Sequence, residues 1–143
     1  MDVRAAVEEH VAWVLHAATD ADTWAVVAEH YGHRGIGVGP AGAKLVTETI
    51  CGWYAPHAPD QATRDWLAGV PEAVAAEVKP PSAMKSIFAN ARRTAKQSPW
   101  AHLVYERRVS VTCPTCGAAQ ERARTFTCRY CDGDLFPRRP EES

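Results

Sequence analysis

No apolar run in this 143-residue chain approaches the 18 or more residues of a membrane-spanning helix, so a helical anchor within it is excluded. The opening Met1-Asp2-Val3-Arg4 passes straight into an amphipathic pattern without the apolar core of a secretory signal, and a cytoplasmic location is expected. The common catalytic signatures are missing too: there is no His-Glu-x-x-His, no nucleophile elbow, no dinucleotide fingerprint and no deaminase arrangement. The glycine-rich stretch at residues 35 to 44 fails as a phosphate loop, because Ala43 separates Gly42 from Lys44 and Leu45 follows. A turn is expected there, with Pro40 near the start of a helix. Glu29, His30, His33 and His57, helped by Asp60 or Asp65, are polar enough to build a site, but no known spacing orders them. An enzyme is therefore the least favoured of three functional classes.

The chain does have the makings of a folded core, with 46% apolar residues, five tryptophans and 23% charged residues. Its length suits one ordinary core plus a small appendage. Periodicity predicts a mainly α fold: a compact multi-helix N-terminal domain over residues 1 to 98, then a small C-terminal β module over 99 to 136 and a loose tail over 137 to 143. Val3, Val7, Val11, Val14 and Leu15 form the stripe of a first helix, residues 3 to 18, with His10 at its border and His16 facing away. Thr19 with Asp22 reads as the start of a second helix reaching Tyr31. A third helix is expected from Ala41 to Tyr54, burying Leu45, Val46, Thr49, Ile50 and Trp53. Asp60 caps a fourth through Leu67, which buries Ala62 and Trp66. Pro71 opens a short fifth helix that ends before Pro80 and Pro81. Ser82 caps a sixth, about residues 83 to 97, with Lys85, Arg92 and Lys96 along one flank and Arg93 opposite.

After Ser98-Pro99 the pattern changes to extended structure. Val109, Val111 and Cys113 alternate toward one face, and Phe126 and Cys128 do so on the return strand. Arg122 and Arg124 share that second parity; a turn or bulge before Phe126 is expected to leave them exposed. The five cysteines divide into four paired ones and Cys51, which reads as a small buried apolar residue.

Cys113-Pro114-Thr115-Cys116 and Cys128-Arg129-Tyr130-Cys131 are two Cys-x-x-Cys pairs separated by eleven residues. Each pair turns tightly enough to aim two sulfurs at one point, which predicts a closed four-thiolate site for a structural Zn2+ on Cys113, Cys116, Cys128 and Cys131. A rubredoxin-like iron centre uses the same ligands, and spacing does not separate the two. A disulfide or redox pair is the remaining alternative. Residues 102 to 136 resemble the zinc-ribbon family: the first knuckle has its Cys-Pro-x-Cys-Gly form, whereas in the second Asp132 stands in the glycine's place and Gly133 follows one residue late. The resemblance implies a scaffold used by transcription factors, polymerase subunits, transposases, ribosomal proteins and docking modules, and no particular activity.

The net charge of −1 hides a division. Residues 1 to 80 carry eleven acidic and five basic side chains, and residues 81 to 143 carry six acidic and eleven basic. Concentrated cations point to an acidic partner, and the leading expectation is a nucleic-acid-associated regulatory or accessory protein binding DNA or RNA. Its candidate phosphate contacts are Lys85, Arg92, Arg93, Lys96, Arg107, Arg108, Arg122 and Arg124. The alternative is an adaptor that grips a larger protein. An exposed, continuous basic patch favours nucleic acid, and neutralisation of those cations by the acidic half favours docking.

Overall fold

A computed structural model describes residues 2–78, 110–122, 126–137 and 139–140. Four helices form the N-terminal body: α1 (Val3–Ala17), α2 (Ala21–His30), α3 (Pro40–Tyr54) and α4 (Gln61–Glu77), with a single 3-10 turn (Ala55–His57) between the last two. A two-stranded antiparallel hairpin follows, β1 (Ser110–Thr112) and β2 (Ala119–Glu121), with Val111 opposite Gln120. The helical body and small β module match the predicted class. The expected helix over 83 to 97 and the extended segment over 100 to 105 lie outside the described residues.

All four helices start on an aspartate or a proline. Asp2 accepts from the Ala5 amide at 3.2 Å and Asp60 from that of Thr63 at 2.8 Å, while Pro40 opens α3. Each satisfies or removes an amide that a helix start otherwise leaves bare. The cap of α2 is Asp20 rather than Thr19, because the Thr19 hydroxyl donates back to the His16 carbonyl (2.7 Å) and so completes α1.

Helix α4 departs from expectation. Pro71 does not begin a new helix but sits inside a continuous one, buried with Val70 and Val74. Proline removes the bond its amide would give the Leu67 carbonyl and costs about 3 kcal/mol in an exposed helix. Here α4 packs against α3 and Val70, Pro71 and Val74 are buried, and that burial outweighs the missing bond.

The core is centred on α1, whose Val7, Val11, Trp13 and Val14 are wholly buried. His10 belongs to this core as well, at 0% exposure, rather than to its border. Its Nδ1 lies 2.8 Å from the Tyr31 hydroxyl and its Nε2 3.1 Å from that of Tyr54. A neutral ring can donate to one hydroxyl and accept from the other, so the polar group is buried with both nitrogens satisfied. Two predicted core positions face solvent instead: Leu45 is 44% exposed and Ala62 is exposed.

The glycine-rich loop folds back onto α3. The Trp24 indole donates to the Ile36 carbonyl at 2.9 Å, and Gly42 leaves room for the loop: a β-carbon there would lie 2.5 Å from the Gly37 oxygen.

The core continues into the β module, where Val111, Cys113, Phe126, Cys128, Leu135 and Phe136 join the same cluster as the helical residues. Trp13 makes the junction, its ring centroid 4.9 Å from both Phe126 and Phe136. Within the segment expected as a tail, the Arg139 guanidinium lies 4.5 Å from the centre of the Trp53 ring and Pro140 is buried. No described helix is long and apolar enough to cross a membrane.

Candidate metal centre

Each cysteine pair forms a tight turn held by backbone bonds. In the first knuckle the Gly117 amide donates to the Cys113 carbonyl (2.9 Å), and in the second the Asp132 amide donates to that of Cys128 (2.9 Å). Gly117 and Asp132 occupy equivalent left-handed positions, with φ of 77° and 59°. Asp tolerates that region better than most residues, which explains why the second knuckle does without a glycine there. The late Gly133 answers a different need. A β-carbon on it would stand 3.2 Å from Thr115 Oγ1 and 3.3 Å from Cys131 Sγ, so the two knuckles meet closely at this point.

The four sulfurs lie within 4.8 Å of one another. Cys113 and Cys131 approach to 3.6 Å, as do Cys116 and Cys128. A tetrahedral zinc site with metal–sulfur bonds of about 2.3 Å has sulfur–sulfur edges of about 3.8 Å. The cluster therefore has the size of a four-thiolate zinc site, and separations of 3.6 Å are too long for the roughly 2.05 Å bond of a disulfide. Among the described residues these cysteines are the one group of three or more side chains able to hold a metal ion. A closed set of four thiolates leaves no position for a reactive water, and the ion's work is structural.

The donors around the sulfurs are unequal. Cys113 Sγ faces the amides of Thr115 (3.4 Å) and Cys116 (3.5 Å). Cys128 Sγ faces the Tyr130 amide at 3.4 Å and the Gln120 side-chain amide at 3.1 Å. The Gln120 bond is the chief reason that the Cys128 thiol is held down to about 6, and the Cys116 amide likewise lowers Cys113. The other two go the opposite way. The Gly133 amide favours the Cys131 thiolate, but desolvation and the neighbouring sulfurs outweigh it and push Cys131 up to about 12. Cys116 is also raised, desolvation and the Cys128 and Cys113 sulfurs overcoming the Ala118 amide. Each close sulfur pair thus contains one thiolate former and one proton holder, and only a bound cation lets all four ionise together.

Gln120 was not singled out in the sequence. Its side chain donates to Cys128 Sγ and accepts from the Arg129 amide at 2.9 Å, tying β2 to the second knuckle. Strand parity was the available signal: Gln120 and Arg122 share the inward face. The return strand itself lies at 119 to 121 rather than at Phe126 and Cys128, whose segment makes only a bridge between Thr127 and Asp134.

Arg122 corrects the predicted interface. It is not turned outward. The residue is 5% exposed, its Nη2 lies 3.0 Å from Glu9 Oε2, its Nη1 donates to the Ser110 carbonyl, and its guanidinium sits 5.1 Å from the Trp13 ring centre. Alternation holds over residues 119 to 122, and the charge is accommodated by a carboxylate from α1 and an aromatic face. Lys85, Arg92, Arg93, Lys96, Arg107, Arg108 and Arg124 lie outside the described residues.

The polar groups that the sequence offers for catalysis stand in separate roles. His33 Nε2 lies 2.6 Å from the Thr49 hydroxyl, His30 stacks on Phe136 at 4.1 Å, and Glu29 and His57 are exposed. Asp60 is occupied as a helix cap, and the Thr63 hydroxyl and amide hold its carboxyl below the usual range. Burial, reinforced by Glu48, pushes the Cys51 thiol up to about 12, an inert apolar role. No family model, curated protein or solved structure matches the chain.

Proposed function

We propose that this chain is a nucleic-acid-associated accessory protein in which zinc holds a small ribbon against a helical body and does no chemistry. The division of charge carries the reading. The helical body, residues 2 to 78, bears eleven acidic and four basic side chains, whereas residues 85 to 108 bear six basic ones against Glu106 alone. Phosphate is attracted to the second segment and repelled by the first, so a polyanion has one run of chain to bind. Arg122 takes no part, being spent on Glu9 and Trp13.

The test is fluorescence anisotropy of the zinc-loaded chain against single-stranded DNA, RNA and duplex DNA at low and near-physiological salt. Binding that weakens steeply with salt is expected, and reversing charge at Arg92 and Lys96 should weaken it further with little change in melting. Salt-independent binding, or none at low salt, refutes the proposal.

The second reading is an adaptor for a larger protein, and the Arg122–Glu9 pair favours it, since there the acidic half neutralises one of the expected cations. Pull-down of a defined partner by wild-type chain, without nucleic-acid binding, would establish that reading instead.

A further inference from the structure

We infer that the tip of the second knuckle, Arg129 with Tyr130, is a stacking platform for an unpaired nucleobase. This rests on the nucleic-acid reading above and names the form of nucleic acid that the ribbon prefers.

The described tryptophans, tyrosines and phenylalanines are otherwise withdrawn from solvent. Most lie in the core, and the two half-buried ones are covered by guanidinium groups, Trp53 by Arg139 and Trp66 by Arg4. Tyr130 stands apart at 67% exposure, between two metal ligands and next to an exposed arginine. Arg129 has no ion-pair partner among the described residues.

An exposed tyrosine alone signifies little. What distinguishes this one is that its backbone is already fixed. The Tyr130 amide bonds Cys128 Sγ, the Arg129 amide bonds Gln120 Oε1, and the Asp132 amide closes the turn on the Cys128 carbonyl. A ring presented from such a turn binds without first ordering a loop, which removes a cost that flexible segments bear. The core-facing side of the ribbon is taken up by Phe126, Leu135 and Phe136, so residues 129 to 132 form its solvent side.

The chemistry of the pair selects the ligand. An aromatic face and an adjacent guanidinium match a base and the phosphate carried on the same sugar, and every base offers a π face. In a duplex the bases are already stacked on one another, and Tyr130 can reach a base face only at an end or a flipped position. The platform therefore serves single strands, loops or ends, with little preference among sequences.

The test compares zinc-loaded wild type, Tyr130→Ala and Tyr130→Phe on a labelled single-stranded oligonucleotide of mixed sequence and on the duplex of the same sequence. Tyr130→Ala should weaken single-strand binding roughly 5- to 150-fold. Tyr130→Phe should stay within about twofold, and duplex binding should be unchanged in both. Melting and zinc content should not move, because the side chain stands in solvent. Wild-type single-strand affinity retained by Tyr130→Ala overturns the platform while leaving the nucleic-acid reading intact. Equal losses in the Ala and Phe variants overturn stacking in favour of the hydroxyl. Failure of the wild type to bind either oligonucleotide overturns both readings.

Discussion

Removing Glu9 should damage this protein more than removing Arg122, although the two form one ion pair. The reason is where each charge is left. The Arg122 side chain is 0% exposed and that of Glu9 is 41% exposed. In Glu9→Ala the guanidinium charge stays in the aromatic junction without this carboxylate. Breaking a fully buried pair costs about 3–5 kcal/mol, and because Glu9 is half in water the expected loss here is lower, about 2–3 kcal/mol. In Arg122→Met the orphan is Glu9, which water can solvate, while methionine fills much of the same volume beside Trp13. The losses are a charge-assisted bond and a cation–π contact, partly offset by apolar burial, and they should net less than about 1.5 kcal/mol. The double variant should be no worse than Arg122→Met alone, a coupling of about 2 kcal/mol. Urea unfolding at one fixed free-zinc concentration measures all four proteins on a common scale. If Glu9→Ala costs under about 0.5 kcal/mol, or costs the same with Met at 122, the pair does not hold ribbon to helix and the reasoning fails.

Cys128→Ser should reduce bound zinc and destabilise residues 110 to 137; full zinc content by elemental analysis would contradict a four-thiolate site. At pH 8 the metal-free site should keep protons on Cys116 and Cys131, both raised, while Cys128, held near 6, is ionised. Zinc uptake should therefore release at least two protons and strengthen about 100-fold or more per unit of rising pH, a dependence that calorimetry in two buffers can read. The Cys128 contribution, from a lowered group, is fully present above its unfolded value and is lost as pH falls through about 6. Gly42→Ala should cost about 1–3 kcal/mol, because its new carbon would meet the Gly37 carbonyl, a backbone atom with little freedom to retreat; an unchanged urea midpoint would show that the loop is not packed on α3.

The features legible in the sequence were those set by short-range rules. Cysteine spacing predicted the sulfur cluster because a Cys-x-x-Cys turn fixes its own geometry. The stripe of α1 and the Asp60 cap were equally local. Features decided by a distant partner were not legible. Pro71 looks like a helix start until its packing on α3 is known. Arg122 looks like a surface cation until Glu9 and Trp13, more than a hundred residues earlier, are brought to it. His10 falls between these cases: with Val3, Val7 and Val14 it completes the 3-7-10-14 spacing of a buried face, so its position was legible although its two tyrosine partners were not.

The zinc site and the aromatic junction support each other, and neither is a local appendage. The first ligand of each knuckle, Cys113 and Cys128, faces the core, while Cys116 and Cys131 face outward. The metal position thus lies at the edge of the cluster that Trp13 organises. Phe126 links the two. Its backbone is held at φ 54°, a region a bulky side chain enters only when its surroundings compel it. The compulsion comes from both sides: the ring is wedged against Trp13 and Phe136, and the carbonyl accepts from the Leu135 amide at 2.9 Å. Two residues on, Cys128 is fixed among the sulfurs. The described residues of the ribbon bury few apolar side chains of their own, too few to stand alone without metal or a neighbour. It draws on both, and so metal binding stabilises the contact with α1 along with the knuckles. The stiffness with which the exposed face of the second knuckle is presented depends on zinc on one side and on Trp13 on the other.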